Sequence, residues 1–125
     1  MKLFTLSEAN EQLLIIRPIL LKIKARYDRI TSFKQLAQAA AAGAQFGGGG
    51  MESGSVYVNL LYELGSLTAE IDALGVQLKD YSRGLIDFPC LKDGRVVLLC
   101  WQFGEDDEIR WWHEPEAGFA GRQPL

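Results

Sequence analysis

The sequence predicts an α+β fold in which a long antiparallel helical hairpin packs against a C-terminal three-stranded antiparallel β-meander. Three observations predict it. Apolar residues recur near a 3.6-residue period through the first half, a glycine-rich stretch interrupts them, and period-two alternation takes over after residue 84 around an Asp-Gly pair. At 125 residues the chain has the size of one domain. Its expected division is a single domain over 1–125, with the hairpin at 5–75, a glycine-rich connector at 43–54, the meander at 85–114 and a C-terminal clasp at 115–125.

The first helix opens on Phe4-Thr5-Leu6-Ser7-Glu8-Ala9. Thr5 caps the free amides while Glu8, three residues on, reaches back to the Thr5 amide, and Phe4 and Ala9 occupy the staple positions. Leu6, Ala9, Leu13, Ile16, Leu20, Ile23, Tyr27, Ile30 and Leu36 then mark one helical stripe to about residue 41. Pro18 has no amide for the carbonyl of Leu14, so a kink or a restart is expected there. The stretch GAQFGGGGMESGS is a connector rather than a phosphate loop: no lysine follows the glycines, and a helix rather than a strand precedes them. A second helix is expected from about Ser55 to Leu74, with Tyr57, Leu60, Leu61, Leu64, Leu67, Ile71 and Leu74 as its stripe. Gly75 suits the left-handed position that ends it, with Val76 folding back on Ile71.

Strands are expected at Leu85 to Cys90, Arg95 to Phe103 and Ile109 to His113. Asp93-Gly94 suits a primed two-residue turn, which needs positive φ at both positions. That turn pairs Lys92 with Arg95, Cys90 with Val97, Phe88 with Leu99 and Ile86 with Trp101. Strict alternation then assigns Ile86, Phe88, Cys90, Val97, Leu99, Trp101, Phe103, Ile109, Trp111 and His113 to the helix side. Asp87, Pro89, Leu91, Val96, Leu98, Cys100, Gln102, Arg110, Trp112 and Glu114 fall on the other. This second face is too apolar for ordinary solvent contact, so the tail or a partner subunit is expected to cover it.

Thirteen basic against sixteen acidic residues leave a formal charge of −3. No global field draws nucleic acid or an anionic membrane, and the acidic run Glu105 to Glu108 beside the strands repels phosphates. Cys90 and Cys100 lack C-x-x-C spacing and read as reduced strand residues. The start shows no secretory signal pattern, and the apolar run LLIIRPILL is nine residues long and holds Arg17, too short to span a bilayer. A cytoplasmic address is expected, with no membrane and no nucleic acid as partner.

The chemistry-bearing residues gather late in the chain. His113, the one histidine, with Asp87 and Glu114 forms a candidate metal set suited by ligand type to manganese, iron or zinc. The lack of a soft ligand or a second imidazole weakens the case for tight zinc binding. His113-Glu114-Pro115 is not the helical H-E-x-x-H motif, because Ala117 stands where its second histidine belongs. Asp87, Arg110, Trp112 and Arg122 are candidate ligand contacts: arginine offers a donor fork and tryptophan a broad apolar face for a small acidic ligand. No G-x-S-x-G elbow is present. A Cys100 nucleophile working with His113 would require Cys100 to turn toward the opposite sheet face.

Several stretches together carry a resemblance: Phe4-Thr5-Leu6-Ser7-Glu8-Ala9-Asn10, Gly75-Val76-Gln77-Leu78-Lys79-Asp80, Gly84-Leu85-Ile86-Asp87-Phe88-Pro89, Gly94-Arg95-Val96-Val97-Leu98-Leu99-Cys100-Trp101, Trp111-Trp112-His113-Glu114 and Gly118-Phe119-Ala120-Gly121-Arg122. In this order they resemble the uncharacterised bacterial family known as domain of unknown function 2203, over almost the whole chain. The resemblance implies a small cytosolic protein and carries no catalytic role onto any residue. The leading functional expectation is a noncatalytic, self-associating structural or interaction protein, a homo-oligomer by the surplus of apolar surface. The alternative is a small-molecule or metal-binding module, and less so a metal-assisted hydrolase, using Asp87, His113, Glu114 and Arg122. No cofactor is expected beyond the divalent metal that this set allows.

Overall fold

The computed structural model describes residues 1–43 and 50–125. Two helices, α1 (Leu6–Gly43) and α2 (Gly50–Ala73), form a hairpin laid on one face of an open antiparallel sheet. Its strands are β1 (Gln77–Asp80), β2 (Leu85–Lys92), β3 (Arg95–Gln102), β4 (Trp111–His113) and β5 (Gln123–Pro124), neighbours in chain order. The expected three-stranded meander is therefore corrected to five strands. The two additional ones are edge strands, two and four residues long, too short for alternation to reveal.

The helix start follows its chemistry. Thr5 N–H donates to Glu8 Oε1 at 2.9 Å, and Glu8 N–H donates to Thr5 Oγ1 at 3.1 Å. These bonds hold the Glu8 carboxyl below its ordinary range. Phe4 and Ala9 are both buried at the staple positions. The helix runs unbroken through Pro18, so of the kink or restart expected there, the restart does not occur. Leu13, Ile16, Leu20 and Ile23 bury a continuous row on both sides of the proline, and that packing outweighs the one hydrogen bond it removes. The connector expected over 43–54 falls partly on 44–49, outside the described residues, while 50–54 belong to α2.

Helix α2 ends as its sequence dictates. Gly75 takes φ 83°, its amide donates to Asp72 O at 2.9 Å, and the Val76 amide reaches Ile71 O at 3.4 Å. Val76 and Ile71 are both buried, which closes the cap hydrophobically. The chain then enters β1 directly. Asp80 stops that strand by accepting from the amides of Ser82 and Arg83, each at 3.0 Å. Tyr81 stacks on Tyr27 of α1, tying the edge of the sheet to the hairpin.

Asp93 and Gly94 have φ of 52° and 79°, and the register of β2 on β3 is the one a two-residue primed turn imposes: Lys92 opposite Arg95, Asp87 opposite Cys100, Ile86 opposite Trp101. Ile86, Phe88, Val97, Leu99 and Trp101 face the helices within one core that also holds Phe4, Leu13, Ile16, Leu20, Ile23 and Ile71.

The phase of β4 is opposite to the one strict alternation assigns. Trp112 lies opposite Leu99 and joins the helix-side core, whereas Trp111 lies opposite Cys100 and His113 opposite Leu98, on the far face. The cause is local. Ile109 is buried, but its amide donates to the Asn10 side chain at 2.8 Å rather than into a ladder, and the strand begins only at Trp111. Side-chain parity is not carried across irregular backbone, so Ile109 and Trp112 reach the same core three residues apart.

No helix among the described residues is long and apolar enough to cross a membrane. The placement of Phe88, fully buried with its ring edge-on to Phe4, sets a stability expectation. Phe88→Ala lowers the unfolding free energy by about 3–5 kcal/mol, read from urea melts. Leu91→Ala, at an exposed position of the same strand, stays within about 0.5 kcal/mol.

Candidate functional site

The far face of the sheet is where the polar chemistry collects. The hairpin register sets Asp87 directly across from Cys100, and the phase of β4 brings His113 onto the same face one rung along. Asp87, Cys100 and His113 are respectively 2%, 0% and 2% exposed, although no helix covers this side. One carboxylate oxygen, the Cys100 Sγ and one imidazole nitrogen all lie within 4.8 Å of one another. Pro89 and Leu98 flank them and are also buried.

Segment 114–125 crosses this face. β5 pairs with β4, setting Pro124 opposite Trp111 and Gln123 opposite Trp112, and the Leu125 amide donates to Arg110 O at 2.9 Å. A turn of 3₁₀ helix at Phe119–Gly121 presents Phe119 between two guanidinium groups, Arg83 at 3.9 Å and Arg122 at 4.7 Å from its ring centre. Arg122 also lies 4.9 Å from the Trp111 ring and donates through one terminal nitrogen to both Glu105 oxygens at 2.8 and 3.0 Å. Its Nε is buried without a hydrogen-bond partner among the described residues.

The hydrogen bonds of His113 constrain what the cluster can hold. Nδ1 lies 2.7 Å from Glu114 O, and a carbonyl oxygen only accepts, so Nδ1 carries the hydrogen. A neutral imidazole then has a bare lone pair on Nε2, and that lone pair points at both Asp87 oxygens, 3.1 and 3.2 Å away. Lone pair facing carboxylate is repulsive. A second proton or a cation between them removes the repulsion. The Cys100 thiol is pushed up to about 12, chiefly by burial and next by the Asp87 charge, with Arg122 pulling the other way. Without a cation, burial and the Asp87 charge favour the neutral thiol over the thiolate at neutral pH.

Of the candidate metal set His113, Glu114 and Asp87, the structure unites the first and last. The Glu114 carboxylate turns outward to Arg95, which holds it below its ordinary range, and only the Glu114 backbone carbonyl serves the cluster. Of the candidate ligand contacts, Arg110 pairs with Asp106 at 3.0 Å on the surface and Trp112 is in the helix-side core. Arg122 meets Glu105, not Asp87 or the glutamates of the tail. Cys100 is the member that sequence reasoning set aside. Its position across from Asp87 was already given by the turn; the missing fact was the parity of His113, which places the imidazole on the sulfur's own side.

Searches of curated proteins and of solved structures gave no match. A family model described as "Uncharacterized conserved protein (DUF2203)" matches residues 2–125. With nearly its whole length matched, and with the capped helix start, the Asp-Gly hairpin and the Trp-Trp-His strand all inside the matched span, the chain belongs to the DUF2203 family.

Proposed function

We propose that this protein is a metal-binding module that holds one divalent transition ion through Cys100 Sγ, His113 Nε2 and the Asp87 carboxylate. The observation that carries the reading is the buried trio itself: His113 Nε2 lies 3.1 Å from an Asp87 oxygen with the ring's other nitrogen on a carbonyl, and Cys100 Sγ lies within 4.8 Å of both donors. That second bond is the usual means of fixing the tautomer and aim of a ligating imidazole.

The donor set selects among ions. Thiolate, imidazole and carboxylate together suit zinc, and Cys100 supplies the soft ligand that a set of His113 with carboxylates alone lacks. Donors on one tetrahedral zinc lie roughly 3.3–3.7 Å apart, given bond lengths of about 2.0–2.3 Å. A trio already within 4.8 Å needs only small side-chain adjustments. Burial favours retention of an ion over turnover, because a hydrolytic metal keeps a coordination position open to water and substrate. Loading releases the Cys100 proton, so affinity rises with pH.

Two measurements test this. Protein stripped with chelator is titrated with cobalt(II) and zinc(II), expecting one ion per chain, a thiolate-to-cobalt absorption band, and a rise in unfolding free energy of about 2.7 kcal/mol at a hundredfold excess over Kd. Cys100→Ser and Asp87→Asn lose the stoichiometric ion, and Cys90→Ser keeps it. No uptake, even on refolding in zinc, removes the reading.

The metal-free protein gives the second. A thiol whose folded pKa is raised from 9.0 to about 12 contributes stability that is whole below pH 9 and declines as pH rises toward 12, since the unfolded chain ionises first. The slope approaches about −1.4 kcal/mol per pH unit within that window. Burial also raises Cys90, so the melts are run in a Cys90→Ser background. Adding Cys100→Ser flattens the slope.

A further inference from the structure

We infer that α1 pairs with a second copy of itself, antiparallel, about a two-fold axis near Pro18. The inference rests on the outer face of the helix and is independent of the metal reading.

The core side of α1 is the row Ala9, Leu13, Ile16, Leu20, Ile23, all fully buried. At about 100° per residue, the diametrically opposite row is Ser7, Glu11, Leu14, Pro18, Lys22, Ala25 and Arg29, every one exposed. In its middle, Leu14, Ile15 and Leu21 are 69%, 55% and 56% exposed and make an apolar patch with Pro18 and Ala25. This patch is not flat. Leu14, Arg17, Pro18, Leu21 and Phe103 line one shallow groove, and Leu6, Ser7, Asn10, Glu11 and Leu14 line another directly before it. Leu14 is the ridge between them, which is the relief that helix-on-helix packing needs.

Charge decides the occupant. Along the outer row the order is acidic, apolar, basic: Glu11 precedes the patch, and Lys22 and Arg29 follow it. None of these three is in an ion pair among the described residues. Asp28, also exposed, lies on the flank of the row. Such an order is complementary to its own reverse. With Pro18 at the axis, Leu14 of one copy meets Leu21 of the other on one side of the seam, Ile15 packs on the Lys22 stem on the other side, and Glu11 falls between Lys22 and Arg29 of the second helix, about one turn from each. A parallel arrangement would set Glu11 on Glu11 and the basic residues on each other. A two-fold axis makes both halves of the contact identical, as an isologous dimer requires.

Sedimentation equilibrium of the intact chain from micromolar to high micromolar concentration tests the pairing. The expected result is twice the chain mass, with an affinity that weakens as salt rises. Leu14→Glu with Leu21→Glu gives a monomer with an unchanged circular dichroism spectrum, because both side chains face outward. Glu11→Lys alone, or Lys22→Glu with Arg29→Glu, weakens dimerisation at least tenfold, and the three combined restore it, since the charge order is then reversed as a whole. A monomer throughout the range overturns the inference, as does a dimer untouched by the apolar double variant. Failure of the triple variant to recover overturns the antiparallel pairing.

Discussion

The register set by the Asp93-Gly94 turn is the constraint on which most of the molecule depends. Two residues at positive φ fix how β2 lies on β3, and period-two geometry propagates that choice along eight residues of each strand. A slip of β2 by one residue along β3 would carry Phe88 out of the core and put Asp87 into it. The same turn therefore does two things at once: it builds the apolar wall that the helical hairpin covers, and it sets a carboxylate beside a thiol on the opposite wall. Core and candidate site are the two faces of one hairpin.

Burying both faces of a small sheet is costly unless something covers the second one. Helices cover the first. On the second, the covering segment buries little aliphatic surface of its own and is held by cation–aromatic and ionic contacts: Phe119 between Arg83 and Arg122, Arg122 on Trp111 and Glu105, and a two-residue strand against β4. Exposed contacts of this kind are each worth about 1 kcal/mol or less. Arg122 is largely buried, however, and losing it would leave Glu105 unpaired. The second layer is thus a latch of several moderate contacts over a polar cluster, whereas the first is a packed core.

Much of this was legible in the sequence, for physical reasons that can be named. The capping box at Thr5 and Glu8, the glycine stop at Gly75 and the primed turn at Asp93-Gly94 are local: each is specified by residues within five positions of one another, so no tertiary information is needed. The long helix to about residue 41 was legible, but the restart allowed for at Pro18 does not occur, because a tertiary row, Leu13 through Ile23, overrides a local penalty. Strands β1 and β5 were missed because two to four residues give periodicity nothing to act on. The parity of β4 turned on a contact from Asn10 to Ile109 across ninety-nine residues, which no window along the chain contains. The same change of phase also decided the site. It moves His113 to the side of Asp87 and Cys100, and moves Trp112 out of the candidate ligand set into the core.

What the cluster lacks says as much about its use as what it holds. An Asp–His pair in a catalytic triad aims the imidazole at a nucleophile, with the carboxylate on one ring nitrogen and the reacting atom on the other. Here one nitrogen is held by the Glu114 carbonyl and the other faces Asp87 in a buried site, so neither is aimed at an incoming group. The thiol beside it is protonated and shielded from solvent. Proton transfer through this histidine would first have to break a 2.7 Å hydrogen bond that also fixes the end of β4. A bound cation has the opposite relation to the same geometry. It would take Nε2, the carboxylate and, once its proton is released, the Cys100 sulfur, and join β2, β3 and β4 through one ligand from each. The arrangement that aims neither imidazole nitrogen at an incoming group is the one that would let an ion act as a cross-link of the sheet.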